Sequence, residues 1–294
     1  VVKLPRNRLP NGAAISSFGL GCSSYWAKHS FPAEQAVALV QRAYALGINH
    51  FDTGPSYEGG EAERRLGHAI GGLDRASLII STKAGTYCRV DGSKFRSFDP
   101  AQIRTGLVES LARLGLTRID ILYLHGPGLS DLSTQVIDCL GELKASGMVT
   151  YCGVNSFDPL VLARLVDMPF DTVMPQYNLF DVSCAAQIAA LKHAGKTIIG
   201  GTALGQGVID FRALLPTDRK SLWYLLRKLK NDPLFPLTRW RARRRVQAPA
   251  RSALEAAMLF LLRSNSITSS VFGTTSIAHL EENVAAASRM GSLR

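Results

Sequence analysis

Apolar positions along the chain fall into two alternating patterns. Short runs of strand length, rich in Ile, Val, Leu and Phe, are each followed by a longer stretch in which apolar residues recur every three or four positions. A continuous apolar run fits a strand covered on both faces, and the 3.6-residue period fits a helix with one buried stripe. Their alternation predicts βα units around a parallel sheet. Strands are expected near Phe18–Gly21, His50–Asp52, Leu78–Lys83, Ile119–His125, Val149–Val154, Thr172–Gln176, Thr197–Gly201 and Thr268–Phe272. Helices are expected near Ala33–Leu46, Glu61–Ile70, Pro100–Leu114, Ser133–Ser146, Asp158–Val166, Cys184–Ala194, Ala250–Arg263 and Ser276–Ala287. Pro32 and Pro159 stand where helices should begin, and Gly47, Gly71, Gly115, Gly147 and Gly195 stand just past their last periodic residue. Ahead of the first strand, residues 8–16 hold Asn11-Gly12 between short apolar segments and read as a hairpin.

One stretch breaks the alternation. Residues 206–247 separate the seventh strand from its helix by far more than an ordinary loop. Within it, Ser221–Lys230 predicts a short amphipathic helix with Leu222, Leu225, Leu226 and Leu229 on one side, and Pro216, Pro233, Pro236 and Pro249 interrupt the remainder. The same region explains the charge. Between Arg219 and Arg251 there are eleven basic residues and one acid, Asp232, so this stretch carries almost all of the net charge of +11. Arg239–Arg245, with Trp240 interleaved, has a composition suited to phosphate contact, but no nucleic-acid-binding fold accompanies it. The 294 residues suit one (β/α)8 domain spanning 1–294 rather than a small module. No apolar run approaches the ~18 residues of a membrane span, and the N-terminus lacks the apolar core of a signal peptide. The five cysteines (Cys22, Cys88, Cys139, Cys152 and Cys184) have no C-x-x-C spacing, which points to a reduced, cytoplasmic protein without a structural metal.

Candidate chemistry gathers where strands should run into loops. Asp52 and Tyr57 lie in FDTGPSY, Lys83 in IISTKAG and His125 in ILYLHGP. A phenol titrates near pH ~10 and donates a proton poorly at neutral pH unless a cation beside it stabilises the phenolate. Lys83 can be that cation, Asp52 can keep it charged and oriented, and His125 can polarise a substrate carbonyl. The reading without catalysis has Asp52 capping a turn, Lys83 paired with it and His125 satisfied by backbone.

At these residues the chain resembles an aldo-keto reductase, from about Arg8 to about Ala287. The matching segments are Phe18–Gly21, FDTGPSY with EGGEAERRLG, STK, YLHGP, GVNSF, MPQYNL and VFGTTSIAHLEEN. The resemblance implies a single (β/α)8 TIM barrel, a catalytic tetrad at Asp52, Tyr57, Lys83 and His125, and NADP or NAD across the C-terminal mouth. It also implies that Asn155, Ser156 and Gln176 hold the nicotinamide amide, with the usual Ser-Asn order reversed. Gly201, Thr202 and Leu204 of GGTALG occupy the cofactor segment after the seventh strand, where the family commonly places an aromatic residue that stacks on the nicotinamide. Some sugar-dehydrogenase branches also lack that aromatic, which turns the substrate expectation toward sugars. Gly273, Thr274, Thr275 and His279 match the adenosine-phosphate site, with Gly273 and His279 where a Lys and an Arg usually read the 2′-phosphate, and Glu282 and Asn283 match the adenine contacts. Tyr25, Trp26 and Tyr87, at strand exits, are expected to wall the substrate pocket. Three functions follow as alternatives: an NAD(P)-dependent oxidoreductase acting on a carbonyl or sugar, a dinucleotide-binding regulatory subunit with little turnover, and nucleic-acid binding through the basic stretch. In the family the long loop lies over the mouth, so its cations are expected to draw an anionic substrate or an acidic carrier protein.

Overall fold

The computed structural model describes residues 4–205 and 249–293, with five helical positions between them: Leu222, Leu225, Leu226, Leu229 and Lys230. A hairpin of β1 (Arg6–Arg8) and β2 (Ala14–Ser16) precedes a closed parallel barrel. The barrel strands are β3 (Phe18–Gly21), β4 (His50–Asp52), β5 (Ile79–Ala84), β8 (Ile119–His125), β9 (Val149–Asn155), β10 (Thr172–Met174), β11 (Thr197–Gly200) and β12 (Ser269–Phe272), neighbours in that order, with β12 closing on β3. Helices α1 (Ala33–Ala45), α2 (Glu61–Ile70), α3 (Pro100–Leu114), α4 (Thr134–Ala145), α5 (Pro159–Arg164), α6 (Ala185–His193), α7 (Ala253–Arg263) and α8 (Ile277–Gly291) follow their strands. All eight expected barrel strands form within a residue or two of their expected ends.

Two differences stand out. After β5 the chain makes an antiparallel hairpin, β6 (Thr86–Cys88) with β7 (Lys94–Arg96), that the periodicity did not reveal because three residues are too few to show an alternation. In the long connection, the five described positions of Ser221–Lys230 are helical as expected, with Leu222, Leu226 and Leu229 exposed. The rest of the basic stretch lies outside the described residues.

Local chemistry explains the helix ends. The Asp99 carboxylate accepts the Ala101 and Gln102 amides ahead of Pro100, which needs no hydrogen-bonding partner at the first helical position. At the far end of α3, Gly115 turns to φ +65° and closes the helix on Ala112 and Leu111.

Inside the barrel, side chains alternate in and out with a period of two. Leu9 and Ile15 of the hairpin pack with Ile79, Ile121, Tyr123, Met174, Ile199 and Val271, so the floor is apolar and plugged. Continuing by twos from that layer leads to Ser81 and Lys83 on β5, His125 on β8 and Gln176 beyond β10. The inner wall thus grades from apolar at the floor to polar at the mouth. The mouth is the C-terminal end of the strands, where barrels of this kind place their chemistry.

Candidate active site

Asp52 ends β4, Lys83 lies on β5 and His125 ends β8, all at the same end of the barrel. Tyr57 arrives by a tight turn in which its amide donates to the Gly54 carbonyl at 3.2 Å, and Glu58, Gly59 and Gly60 then take positive φ. Gly54 makes the approach possible. A Cβ there would stand 3.2 Å from the Tyr57 ring, close enough to press on it, and in ordinary contact with the Lys83 side chain at 3.5 Å.

Lys83 Nζ donates to Asp52 Oδ2 and to the Thr53 carbonyl, each at 2.6 Å, with the two side chains only 3% and 8% exposed. Burial alone would push the ammonium's pKa down. Asp52, and then the Tyr57 oxygen, outweigh it and raise the pKa, so the ammonium stays charged. It lies 5.3 Å from the centroid of the Tyr57 ring. The His125 ring meets Tyr57 edge-on at 6.2 Å between centroids. Burial first, and then the Lys83 charge, bring the His125 pKa down to about 4 against the pull of Asp52, so the imidazole is neutral near pH 7. Its Nδ1 is buried without a hydrogen-bonding partner. A neutral imidazole has one N–H to offer and one lone pair. The cluster therefore holds a buried cation, a phenol beside it and an uncharged donor across from the phenol. A carbonyl oxygen placed between Tyr57 and His125 would meet both.

The residues that the resemblance assigns to the nicotinamide end finish or follow β9, β10 and β11 at the same end of the barrel. Asn155 ends β9 in register with His125, and its Nδ2 donates to the Met174 carbonyl at 2.9 Å. Ser156 Oγ accepts the Asp158 amide at 3.2 Å and so serves the turn into α5. Gln176 bridges to Gly201, and its Nε2 donates to Asp181 Oδ2 at 2.5 Å. At Gly201 a Cβ would lie 3.1 Å from the Pro175 carbonyl and 3.6 Å from the ring of Phe157, which leaves a flat backbone wall beside an exposed aromatic. Thr202 takes φ +56°, with its carbonyl and hydroxyl held by Asn178 Nδ2, while Leu204 is buried.

Across the barrel, Ser276 caps α8 by accepting the His279 amide, and the Thr274 hydroxyl accepts the Ser276 amide. Gly273, His279 and Glu282 are exposed, Thr274 and Thr275 half-buried, and Asn283 lies on the buried face of α8. Amides at one end and a helix N-terminus lined by small polar residues at the other make a donor set that fits a dinucleotide.

The expected aromatic wall needs correction. Tyr25 is half-buried and packs edge-on against Phe31, but Trp26 is 1% exposed within the core. Tyr87 belongs to the β6–β7 hairpin and is turned onto α3, so close that a Cβ at Gly106 would fall 2.4 Å from its ring. Trp26 and Tyr87 are therefore buried rather than open rim residues, because a strand exit fixes a residue's position and not the direction of its side chain. Beside Gln176, Tyr177 and Leu179 face Ala256, Leu259 and Phe260 of α7 across an open cavity of about 380 Å³. Sequence reasoning missed Thr53, Ser81 and His50, which stand directly behind Asp52 and Lys83. The signal was available in the period of two, which puts Ser81 and His50 on the same inward face as Lys83 and Asp52.

Among the described residues no helix is long and apolar enough to cross a membrane, and no cluster of His, Cys, Asp or Glu is arranged to hold a metal ion. Comparison with known proteins places the chain. Residues 17–290 match the model of the aldo/keto reductase family. An uncharacterized oxidoreductase, YqkF of Bacillus subtilis, is 30% identical over 276 residues, covering 93% of this chain and 87% of that protein. L-Galactose dehydrogenase of Arabidopsis thaliana is 28% identical over 298 residues, covering 96% and 87%. Among solved structures, the holo form of aldo-keto reductase AKR11C1 from Bacillus halodurans superposes with a TM-score of 0.78 at 22% identity, covering 99% of this chain and 96% of that one, a likeness of fold. With the barrel's closed parallel order and a family match over nearly its whole length, this chain belongs to the aldo/keto reductase family of NAD(P)-dependent oxidoreductases.

Proposed function

We propose that the chain transfers a hydride between the nicotinamide of NADP or NAD and the carbonyl carbon of a small aldehyde, ketone or sugar, with Tyr57 giving or taking the proton at the carbonyl oxygen. The observation that carries this reading is the buried Asp52–Lys83 pair set beside the Tyr57 phenol. Such a pair is costly to desolvate and is weak evidence for stability alone. As a fixed positive charge beside a phenol it has a use, because it favours the phenolate left when the proton goes to substrate. When bound, the dinucleotide supplies or accepts the hydride. Neutral His125 donates to the carbonyl oxygen and holds it toward Tyr57. Asn155 and Gln176 hold the nicotinamide amide, Gly201, Thr202 and Leu204 border it, and Gly273, Thr274, Thr275, His279 and Glu282 receive the adenosine end.

A sugar substrate is supported by two relatives whose names specify one, the L-galactose dehydrogenase and a D-threo-aldose 1-dehydrogenase of Pseudomonas, 28% identical over 225 residues. The positive charge of Arg219–Arg251 supports an anionic substrate or an acidic carrier.

The test is Tyr57→Phe. Removing the hydroxyl should lower kcat by about 10²–10⁴-fold, the usual worth of a positioned acid or base, while dinucleotide affinity changes little. Turnover near that of the wild type would remove Tyr57 from the mechanism. A wild-type protein that binds the dinucleotide but turns over no carbonyl or sugar would favour a regulatory subunit instead.

A further inference from the structure

The Asp52 carboxylate has a second oxygen, and what stands behind it is ordered. Oδ2 is taken by Lys83, and Oδ1 accepts the Ser81 hydroxyl at 2.7 Å. Ser81 is fully buried on β5, two residues before Lys83 and directly opposite Asp52 in the strand register. Below it lies His50, two residues before Asp52 on β4 and also fully buried. Its Nε2 is 3.4 Å from Ser81 Oγ, and its Nδ1 is 3.2 Å from Ser269 Oγ on β12.

Counting protons fixes the direction of this chain. A carboxylate only accepts, so the single Ser81 hydroxyl proton goes to Asp52 and Ser81 presents a lone pair to His50. Nε2 must then carry the imidazole proton. Burial, with Lys83 acting against Asp52, brings the His50 pKa down to about 4, so the ring is neutral and Nδ1 is bare. Ser269 supplies the proton to Nδ1. Every proton in the series points toward Asp52.

A second observation shows that this space is built for the ring. At Gly19 on β3 a Cβ would lie 2.6 Å from His50 Nδ1 and 2.9 Å from the adjoining ring carbon. Only a glycine leaves the imidazole where it stands. The other groups around the ion pair are Cys22, just past β3, Tyr57 of the turn after β4, and Tyr123 and His125 of β8. Burial pushes the Cys22 thiol and the Tyr123 phenol up and the His125 pKa down, so these three stay neutral at working pH. Among the described residues, only Ser81 donates a hydrogen bond to Asp52 Oδ1.

We propose that Ser81 and His50, with Ser269 behind them, are positioning residues for the proton donor: their ordered hydrogen bonds hold Asp52 as a carboxylate and, through Lys83, set the ionisation of Tyr57. This rests on the assignment of Tyr57 made above. A buried carboxylate short of one donor has a greater affinity for a proton. It draws the shared proton from Lys83 toward itself, so less positive charge faces the Tyr57 phenol. That loss moves the ionisation of the phenol to higher pH.

The experiment follows phenolate absorbance against pH in dinucleotide-free protein, with a parallel titration of Tyr57→Phe subtracted to isolate Tyr57. Ser81→Ala should move this transition alkaline by about one pH unit and lower kcat at neutral pH by about tenfold, with KM for the carbonyl within about twofold. His50→Leu should shift it in the same direction. His50→Gln should titrate close to the wild type, because its amide can still donate toward Ser81 and accept from Ser269. A Ser81→Ala transition at the wild-type pH overturns the proposal, whether or not stability falls, since a purely structural role would cost stability and leave the phenol's titration where it was. Tyr57→Phe with undiminished turnover would sink the assignment of Tyr57 itself. Loss of turnover in Tyr57→Phe with an unmoved Ser81→Ala titration would sink this ordered chain alone.

Discussion

Lys83 shows how one residue carries both stability and chemistry. Its ammonium is nearly sealed from water, and its partner Asp52 is equally so. Removing one member of such a pair leaves the other as a buried, unpaired charge, which typically costs about 3–5 kcal/mol. Lys83→Met should therefore lower the denaturation midpoint markedly, and it should also depress kcat and move the pH–rate profile alkaline. Pairing that change with Asp52→Leu separates the two roles. The double variant should recover much of the lost stability, because no charge is left buried, and recover none of the turnover. If both quantities return together, the pair serves folding and the mechanism proposed for Tyr57 is wrong. Residue identity made this much legible in the sequence, since a phenol, a cation, a carboxylate and an imidazole at strand exits have few other joint uses. The period of two placed Ser81 on the same inward face as Lys83, but its bond to Asp52 was not legible, because which strands lie side by side is set by the barrel and not by any local pattern.

At the scale of elements, strands and helices were legible and their side-chain directions were not. The largely apolar runs located all eight barrel strands because a parallel strand is covered on both faces, with polar inward positions such as Ser81, Lys83 and Asp52 toward the mouth. Trp26 and Tyr87 were placed at strand exits correctly, but one is packed into the core and the other against α3. Direction depends on contacts with elements distant in sequence, such as Gly106, and no local pattern encodes these. Helix α8 shows what an element can still determine. Its first turn presents exposed His279, which the proposed function assigns to the 2′-phosphate end of the dinucleotide, and the loop before it has Gly273, without a side chain. With no fixed cation at either position, discrimination between NADP and NAD should stay within about tenfold, or ~1.4 kcal/mol. His279→Arg should tighten NADP binding by about tenfold and leave NAD unchanged, because a guanidinium can pair bidentately with the added phosphate. Binding titrations of both dinucleotides against both proteins would decide it. A wild-type preference for NADP of a thousandfold would show that cations elsewhere read the phosphate.

Across the whole molecule, the inner wall changes from apolar at the floor to charged at the mouth, and two neutral histidines lie along that gradient, His50 fully buried and His125 half-buried. This gives acid a specific point of attack. His50 and His125 both have pKa values lowered to about 4, chiefly by burial, whereas an unfolded histidine titrates near ~6.5. Between those values the unfolded chain binds protons that the folded chain refuses, so stability is full above about pH 6.5 and is lost as pH falls toward about 4. Two groups acting together can contribute a slope of up to roughly 2.7 kcal/mol per pH unit within that window. Denaturant midpoints measured from pH 7 to pH 4.5 should fall steeply, well before most carboxylates titrate. His125→Gln should remove about half of the slope, because it deletes one of the two refused protons and leaves His50 untouched. A midpoint that holds steady to pH 5 would mean that the histidines accept protons in the folded state, through water reaching the barrel interior. In that case the ordered hydrogen bonds from Ser269 through His50 to Asp52 could not persist in acid, and activity should fail over the same range even where the fold survives.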